Sequence, residues 1–158
     1  MSAAVAYSPH EDILRTLPHP PVLGRRIYFC VEEPANIFSA IRCALEHLAQ
    51  SPKDQITVVS VVQTEAQREV AISTTWSLMK IIEQQTRSYG SNLLLHILLA
   101  PLGSFAKLAC ESVSNNRGDL LILGLSGNSL MTHSSGYCIK NSKCQVVIKR
   151  LTSAAPSF

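Results

Sequence analysis

Five short aliphatic runs recur between residues 26 and 151, each separated from the next by a stretch of helical periodicity. They are Arg26–Val31, Ile56–Val62, Leu93–Leu99, Asp119–Leu123 and Gln145–Leu151. Ile56 to Val62 is almost wholly β-branched, which predicts a strand. Val58–Val62 and Leu120–Leu123 are continuous rather than alternating, so both faces of these strands are expected to be buried. After Asn36, the expected N-cap, Ile37, Ala40, Ile41, Ala44, Leu45 and Leu48 form one stripe at three- and four-residue spacing. Ser51-Pro52-Lys53-Asp54 ends that helix. A second helical stretch runs from Glu65 to Tyr89 and stops at Gly90; Ser73-Thr74-Thr75 are weak helix formers, so its first part reads as loop. Ser104–Asn116 carries Phe105, Leu108, Ala109, Ser112 and Val113 on one face, and a weakly patterned short helix spans Ser134–Ser142. Strands alternating with helices predict βαβ units, hence an α/β, Rossmann-like parallel sheet with helices on both faces.

At 158 residues the chain has room for one such domain. A hydrophobic fraction of 46% excludes a wholly disordered chain, and a net charge of +3 lacks the basic bias of a dedicated nucleic-acid binder. No apolar run reaches the ~18 residues of a membrane span. Met1–Ala6 has no basic leader, so a cytoplasmic protein with neither membrane nor nucleic-acid partner is expected. Residues 1–24 hold Pro9, Pro18, Pro20 and Pro21 and read as a proline-rich extension. It is expected to be loose apart from one turn at Glu11–Arg15 docking through Ile13 and Leu14, and dispensable for folding. Residues 25–151 form the domain, and 152–158 a small polar tail. The five cysteines, at 30, 43, 110, 138 and 144, contain no CxxC pair. They read as reduced thiols without a metal site, Cys30 and Cys110 as small core residues.

In an open parallel sheet, ligands collect at the carboxyl ends of strands where the strand order reverses. Three ends stand out: Glu32-Glu33-Pro34, Val61-Val62-Gln63 and Gly124-Leu125-Ser126-Gly127-Asn128-Ser129. Gly124 and Gly127 would let the backbone turn sharply, and successive amides there can cradle an anion. Asn128, Ser129 and Thr132 add donors, and His133 lies close by. After Asp119 there are four cations, Lys140, Lys143, Lys149 and Arg150, and no acid. The same stretch reads equally as a loop needing two glycines, because it is neither a P-loop nor a GxGxxG. Glu32 and Glu33 can accept from a ribose or an adenine; structurally, acids beside a helix N-terminus are favourable by ~0.3–1 kcal/mol. Together they would repel a triphosphate unless Mg2+ intervened. His10 and His19 fall in the extension, His47 on a helix and His96 within a strand, so no catalytic constellation forms and an enzyme is not expected. Trp76 reads as a helix-packing residue.

These segments resemble the universal stress protein family across about residues 25–151. The resemblance rests on Arg26-Ile27-Tyr28-Phe29-Cys30-Val31-Glu32, on Ile56–Val62 and on Gly103 before a helix. It rests most on Asp119-Leu120-Leu121-Ile122-Leu123-Gly124-Leu125-Ser126-Gly127, and lastly on Cys144-Gln145-Val146-Val147-Ile148-Lys149-Arg150. It implies a five-stranded parallel sheet of order 3-2-1-4-5, counted from Arg26, and a homodimer through the last strand at Val146, Val147 and Ile148. It also implies, for one subgroup, a nucleotide site. There the acid ending the first strand and the end of the second hold adenosine, and a G-x-x-G turn followed by G-[ST] holds ribose and phosphates. Carried over, these positions are Glu32, Val61, Gly124 and Gly127, joined by Asn128, Ser129, Thr132 and His133. The chain departs from that pattern. Glu32 replaces an aspartate, only 16 residues separate Gly127 from Cys144, and the final pair is either Thr132-His133 or Gly136-Tyr137. Two readings follow. One is a stress-response or signalling module that works by dimerisation and docking to a protein partner, with weak adenine-nucleotide binding. The other is an AMP- or ATP-binding module with nucleotide-dependent signalling, Mg2+ entering only with a triphosphate. In either, a bound nucleotide would place phosphates on Gly124–Ser129 and adenosine between Glu32 and Val61, a monophosphate binding at least as well as a triphosphate.

Overall fold

The aliphatic runs pair into one sheet, and the amphipathic stretches cover it. The computed structural model describes residues 3–5, 11–15, 24–33, 36–44, 54–85, 93–101, 103–125 and 133–151. In chain order its strands are β1 (Ala3–Val5), β2 (Glu11–Arg15), β3 (Arg26–Val31), β4 (Gln55–Val62), β5 (Leu93–Leu99), β6 (Leu120–Leu125) and β7 (Gln145–Arg150). Its helices are α1 (Ile37–Cys43), α2 (Glu65–Gln85), α3 (Phe105–Asn115) and α4 (His133–Asn141). The five strands from Arg26 onward form an all-parallel core ordered β5-β4-β3-β6-β7, which is the expected 3-2-1-4-5.

The alternation of side chains along each strand divides the core into two layers. Ile27, Phe29 and Val31 of β3 join Ile56, Val58 and Val62 of β4 and Ile122 of β6 beneath Ile37, Ile41 and Ala71 of α1 and α2. Tyr28, Cys30, Val59, Val61, Leu121 and Leu123 face the other way, against Phe105, Ala109, Val113 and Cys138 of α3 and α4. Trp76 packs at the border of the first layer. The amino end of β3 is clamped on both sides. Asp54 accepts hydrogen bonds from Arg25 N at 2.9 Å and Arg25 Nη2 at 2.9 Å. Asp119 accepts one from Arg26 N at 2.8 Å.

The N-terminal segment differs from expectation. Glu11–Arg15 is a strand, not a docked turn: β2 pairs antiparallel with β5, from Glu11 opposite Leu98 to Arg15 opposite Leu94, and β1 pairs with β2. The sheet therefore has seven strands. The physical reason is the exposed edge that β5 would otherwise present. Pro9 and Pro18 lie outside β2, so each of its residues keeps an N–H to pair.

Two helices also depart in detail. α2 runs unbroken through Ser73-Thr74-Thr75, because Ala71 and Thr75 are buried and tertiary packing outweighs propensity differences of up to ~0.7 kcal/mol per residue. Asn36 holds the N-cap position of α1, but its buried side chain makes no capping bond. α3 closes with bonds from Gly118 N to Val113 O and from Arg117 N to Ser114 O, with the left-handed residue at Arg117 (φ 54°) rather than at glycine. The rest of the first helical stretch (residues 45–48, with His47) and residues 86–89 of the second lie outside the described residues.

Deleting residues 1–20 removes β1 and β2. The shortened chain is expected to fold cooperatively, but with a lower thermal midpoint and concentration-dependent association. Each backbone hydrogen bond forfeited costs about 0.5–1.5 kcal/mol, and each kcal/mol lowers the midpoint by about 2–4 °C. Calorimetry and sedimentation identical to the full chain would contradict the pairing.

Candidate functional site

The strand order reverses at β3: β4 and β5 lie on one side of it, β6 and β7 on the other. At the carboxyl ends of β3 and β4 a cleft of about 340 Å3 opens between the starts of α3 and α4. Glu32, which follows β3, and Val61 and Gln63, at the end of β4, line one side. Pro101, Gly103 and Phe105 line a second, and His133 and Ser134 of α4 a third.

Local chemistry holds each wall. Gln67 Oε1 accepts from Gln63 N at 2.8 Å, and Thr64 Oγ1 accepts from Gln67 N at 3.1 Å. This T-x-x-Q capping arrangement fixes the corner between β4 and α2. Gly103 has φ +87°, a conformation that favours glycine, and Ser104 Oγ donates to Pro101 O at 2.6 Å. That turn sets Phe105, 6% exposed, as the apolar part of the cleft. Ser134, also 6% exposed, donates from Oγ to Glu32 Oε2 at 2.7 Å. The first turn of α4 has no acidic residue of its own. Glu32 therefore supplies the negative charge that a helix N-terminus attracts.

Of the residues expected to form a site, Glu32, Val61 and His133 meet in this cleft. Gly127, Asn128, Ser129 and Thr132 lie outside the described residues. α4 begins at His133, so Gly136 falls inside the helix with open space beside it. Gln63 belongs to one of the three strand ends singled out in the sequence; Ser134 and Phe105 were not expected as site residues. The capping pattern Thr64-Glu65-Ala66-Gln67 and the turn Pro101-Leu102-Gly103-Ser104 are the signals that mark two of these walls. The expected helix Ser134–Ser142 puts Ser134 at a helix start, but no signal in the sequence marks its contact with Glu32.

Among solved structures, a universal stress protein family protein from Arabidopsis thaliana with AMP bound matches with a TM-score of 0.54 at 16% identity, covering 82% of this chain and 93% of that one. A universal stress protein in complex with cAMP matches at 0.52 and 12% identity, over 81% and 98%. The universal stress protein from Archaeoglobus fulgidus in complex with dAMP matches at 0.51 and 13% identity, over 82% and 99%. The fold is that of the universal stress proteins. No family model and no curated protein matches the sequence.

Within this universal stress protein fold, Gly124 is a packing residue. It lies in β6, paired with Val31 and Lys149, rather than in a turn. A Cβ there would overlap Leu151 Cδ1 and come within 2.7 Å of Phe29 Cε1. Both side chains are buried. The cysteines on the α3 and α4 face are likewise structural. Cys110 Sγ and Cys138 Sγ are 3.4 Å apart. Burial pushes the Cys30, Cys110 and Cys138 thiols up, which keeps them protonated and unreactive. Among the described residues no group of three or more His, Cys, Asp or Glu is placed to hold a metal ion, and no helix is long and apolar enough to cross a membrane.

Gly124→Ala should lower stability by about 1–3 kcal/mol, the cost of overpacking a tight core, as read from urea denaturation. An unchanged midpoint would return this glycine to a ligand role.

Proposed function

We propose that this chain is a cytoplasmic universal-stress-protein-like module that binds an adenine-bearing ligand weakly in the Glu32–Val61 cleft and acts by dimerisation and partner docking. The observation that carries the ligand reading is the cleft itself. It stands at the carboxyl ends of β3 and β4, beside the reversal of strand order, in a fold whose solved neighbours hold AMP, cAMP and dAMP. Val61 and Phe105 offer apolar surface to a base, and Glu32 and Gln63 offer polar groups to a sugar. About 340 Å3 is at the small end of ligand pockets. That favours a compact ligand such as AMP over ATP.

A binding module is favoured over an enzyme. Ser134 and His133 both line the cleft, but the Ser134 hydroxyl is engaged by a carboxylate and not by an imidazole. Dimerisation is supported by β7. It ends the sheet order, and Val147 on it is 39% exposed. An edge strand with an exposed aliphatic side chain invites pairing with a second copy.

Native mass spectrometry of the full chain tests both parts. The expected spectrum is a dimer that takes up one AMP per chain on addition of millimolar nucleotide. A monomer at high micromolar concentration would overturn the dimer, and no adduct with AMP, ATP or adenosine would overturn the ligand reading.

A further inference from the structure

The charge of the cleft determines what part of an adenine-bearing ligand it can accept. Among its described lining residues there is no lysine or arginine; Glu32 is the one fixed charge, and it is negative. Lys140 on α4, Lys143 between α4 and β7, and Lys149 and Arg150 on β7, which would attract phosphate, lie outside that lining. The start of α4 is the natural seat for a phosphate on a cleft of this shape, because its amides and dipole favour an anion. A carboxylate already stands beside that seat: Glu32 accepts the hydroxyl of Ser134, in the first turn of α4, at 2.7 Å. The other Glu32 oxygen makes no hydrogen bond among the described residues and is left to accept from a ligand. Hydroxyl donors of a sugar satisfy it; a phosphate, which has only acceptors when ionised, repels it.

The length of the side chain matters here. An aspartate would withdraw the carboxylate by roughly 1.5 Å, one carbon–carbon bond. The Ser134 contact would then exceed hydrogen-bond range. Glutamate at position 32 is what lets a strand-end acid reach the hydroxyl in the first turn of α4.

We infer that the Glu32 carboxylate, held by Ser134 at the start of α4, takes the place of a ligand phosphate, so that this cleft selects the uncharged nucleoside over its nucleotides. Glu32 is thus the specificity-determining residue of the site. The inference rests on the adenine-ligand reading above, and it narrows that reading from nucleotide to nucleoside.

Isothermal titration of the full chain with adenosine, AMP and ADP tests it. The titrations are run at one fixed pH, about 8. The unmodified protein should bind adenosine at least about tenfold more tightly than AMP, with ADP weaker again, since like charges in a partly enclosed cleft are poorly screened. Glu32→Gln removes the charge and keeps the shape, and should close the adenosine–AMP gap. Glu32→Asp frees the start of α4 and should narrow it, which gives a second variant should Glu32→Gln fail to fold by circular dichroism. AMP binding as tightly as adenosine to the unmodified protein would overturn the inference and leave the adenine reading standing. So would a gap that persists in folded Glu32→Gln and Glu32→Asp. Binding of none of the three ligands would overturn both.

Discussion

β3 is the strand on which the rest of the molecule depends. It pairs in parallel on both edges, with β4 from Arg26 opposite Gln55 and with β6 from Ile27 opposite Leu120. Its side chains enter both layers of the core. Its amino end is tied to β4 by Asp54 and to β6 by Asp119, so a slip in register would break backbone and carboxylate bonds together. A register held that firmly at one end delivers Glu32 to a defined place at the other. The cleft is a consequence of this arrangement, because β3 is also the strand at which the order of the sheet reverses.

The walls of the cleft are set by turns, while its floor is set by the sheet. The Thr64–Gln67 capping pair, the Pro101–Ser104 turn and the start of α4 each close one side. The Ser134–Glu32 hydrogen bond joins residues 102 apart in sequence and ties the last helix to the central strand. One contact therefore links the packing of α4 to the charge of the site. The same helix is anchored on its buried side by Cys138 against Cys110 of α3, where burial raises both thiols and favours packing over reactivity.

The five core strands were legible in the sequence because doubly buried parallel strands must be continuous aliphatic runs, as Val58–Val62 and Leu120–Leu123 are. Glu11–Arg15 was not legible as a strand, because its pairing answers to the edge of β5, far along the chain, and its prolines bias the composition toward loop. The unbroken course of α2 was hidden for a similar reason, since burial of Thr75 and Ala71 decides it. Within the site, Glu32 and Val61 could be read from strand ends. Ser134 could not: its helix was expected at Ser134–Ser142, but its contact with Glu32 depends on how α4 docks against the end of β3. Gly124 carried an ambiguous signal: a glycine allows close approach of any neighbour, and here the neighbours are Phe29 and Leu151.

The proposed functional surface lies at the carboxyl ends of β3 and β4, between the starts of α3 and α4. Backbone amide shifts followed by nuclear magnetic resonance during titration with adenosine test it most directly. Perturbations are expected to centre on Glu32, Gln63, Phe105 and Ser134, with Arg26, Asp54 and Asp119 at the opposite end of the strands unmoved. Shifts centred on that amino-terminal end, or no shifts anywhere at saturating adenosine, would contradict it.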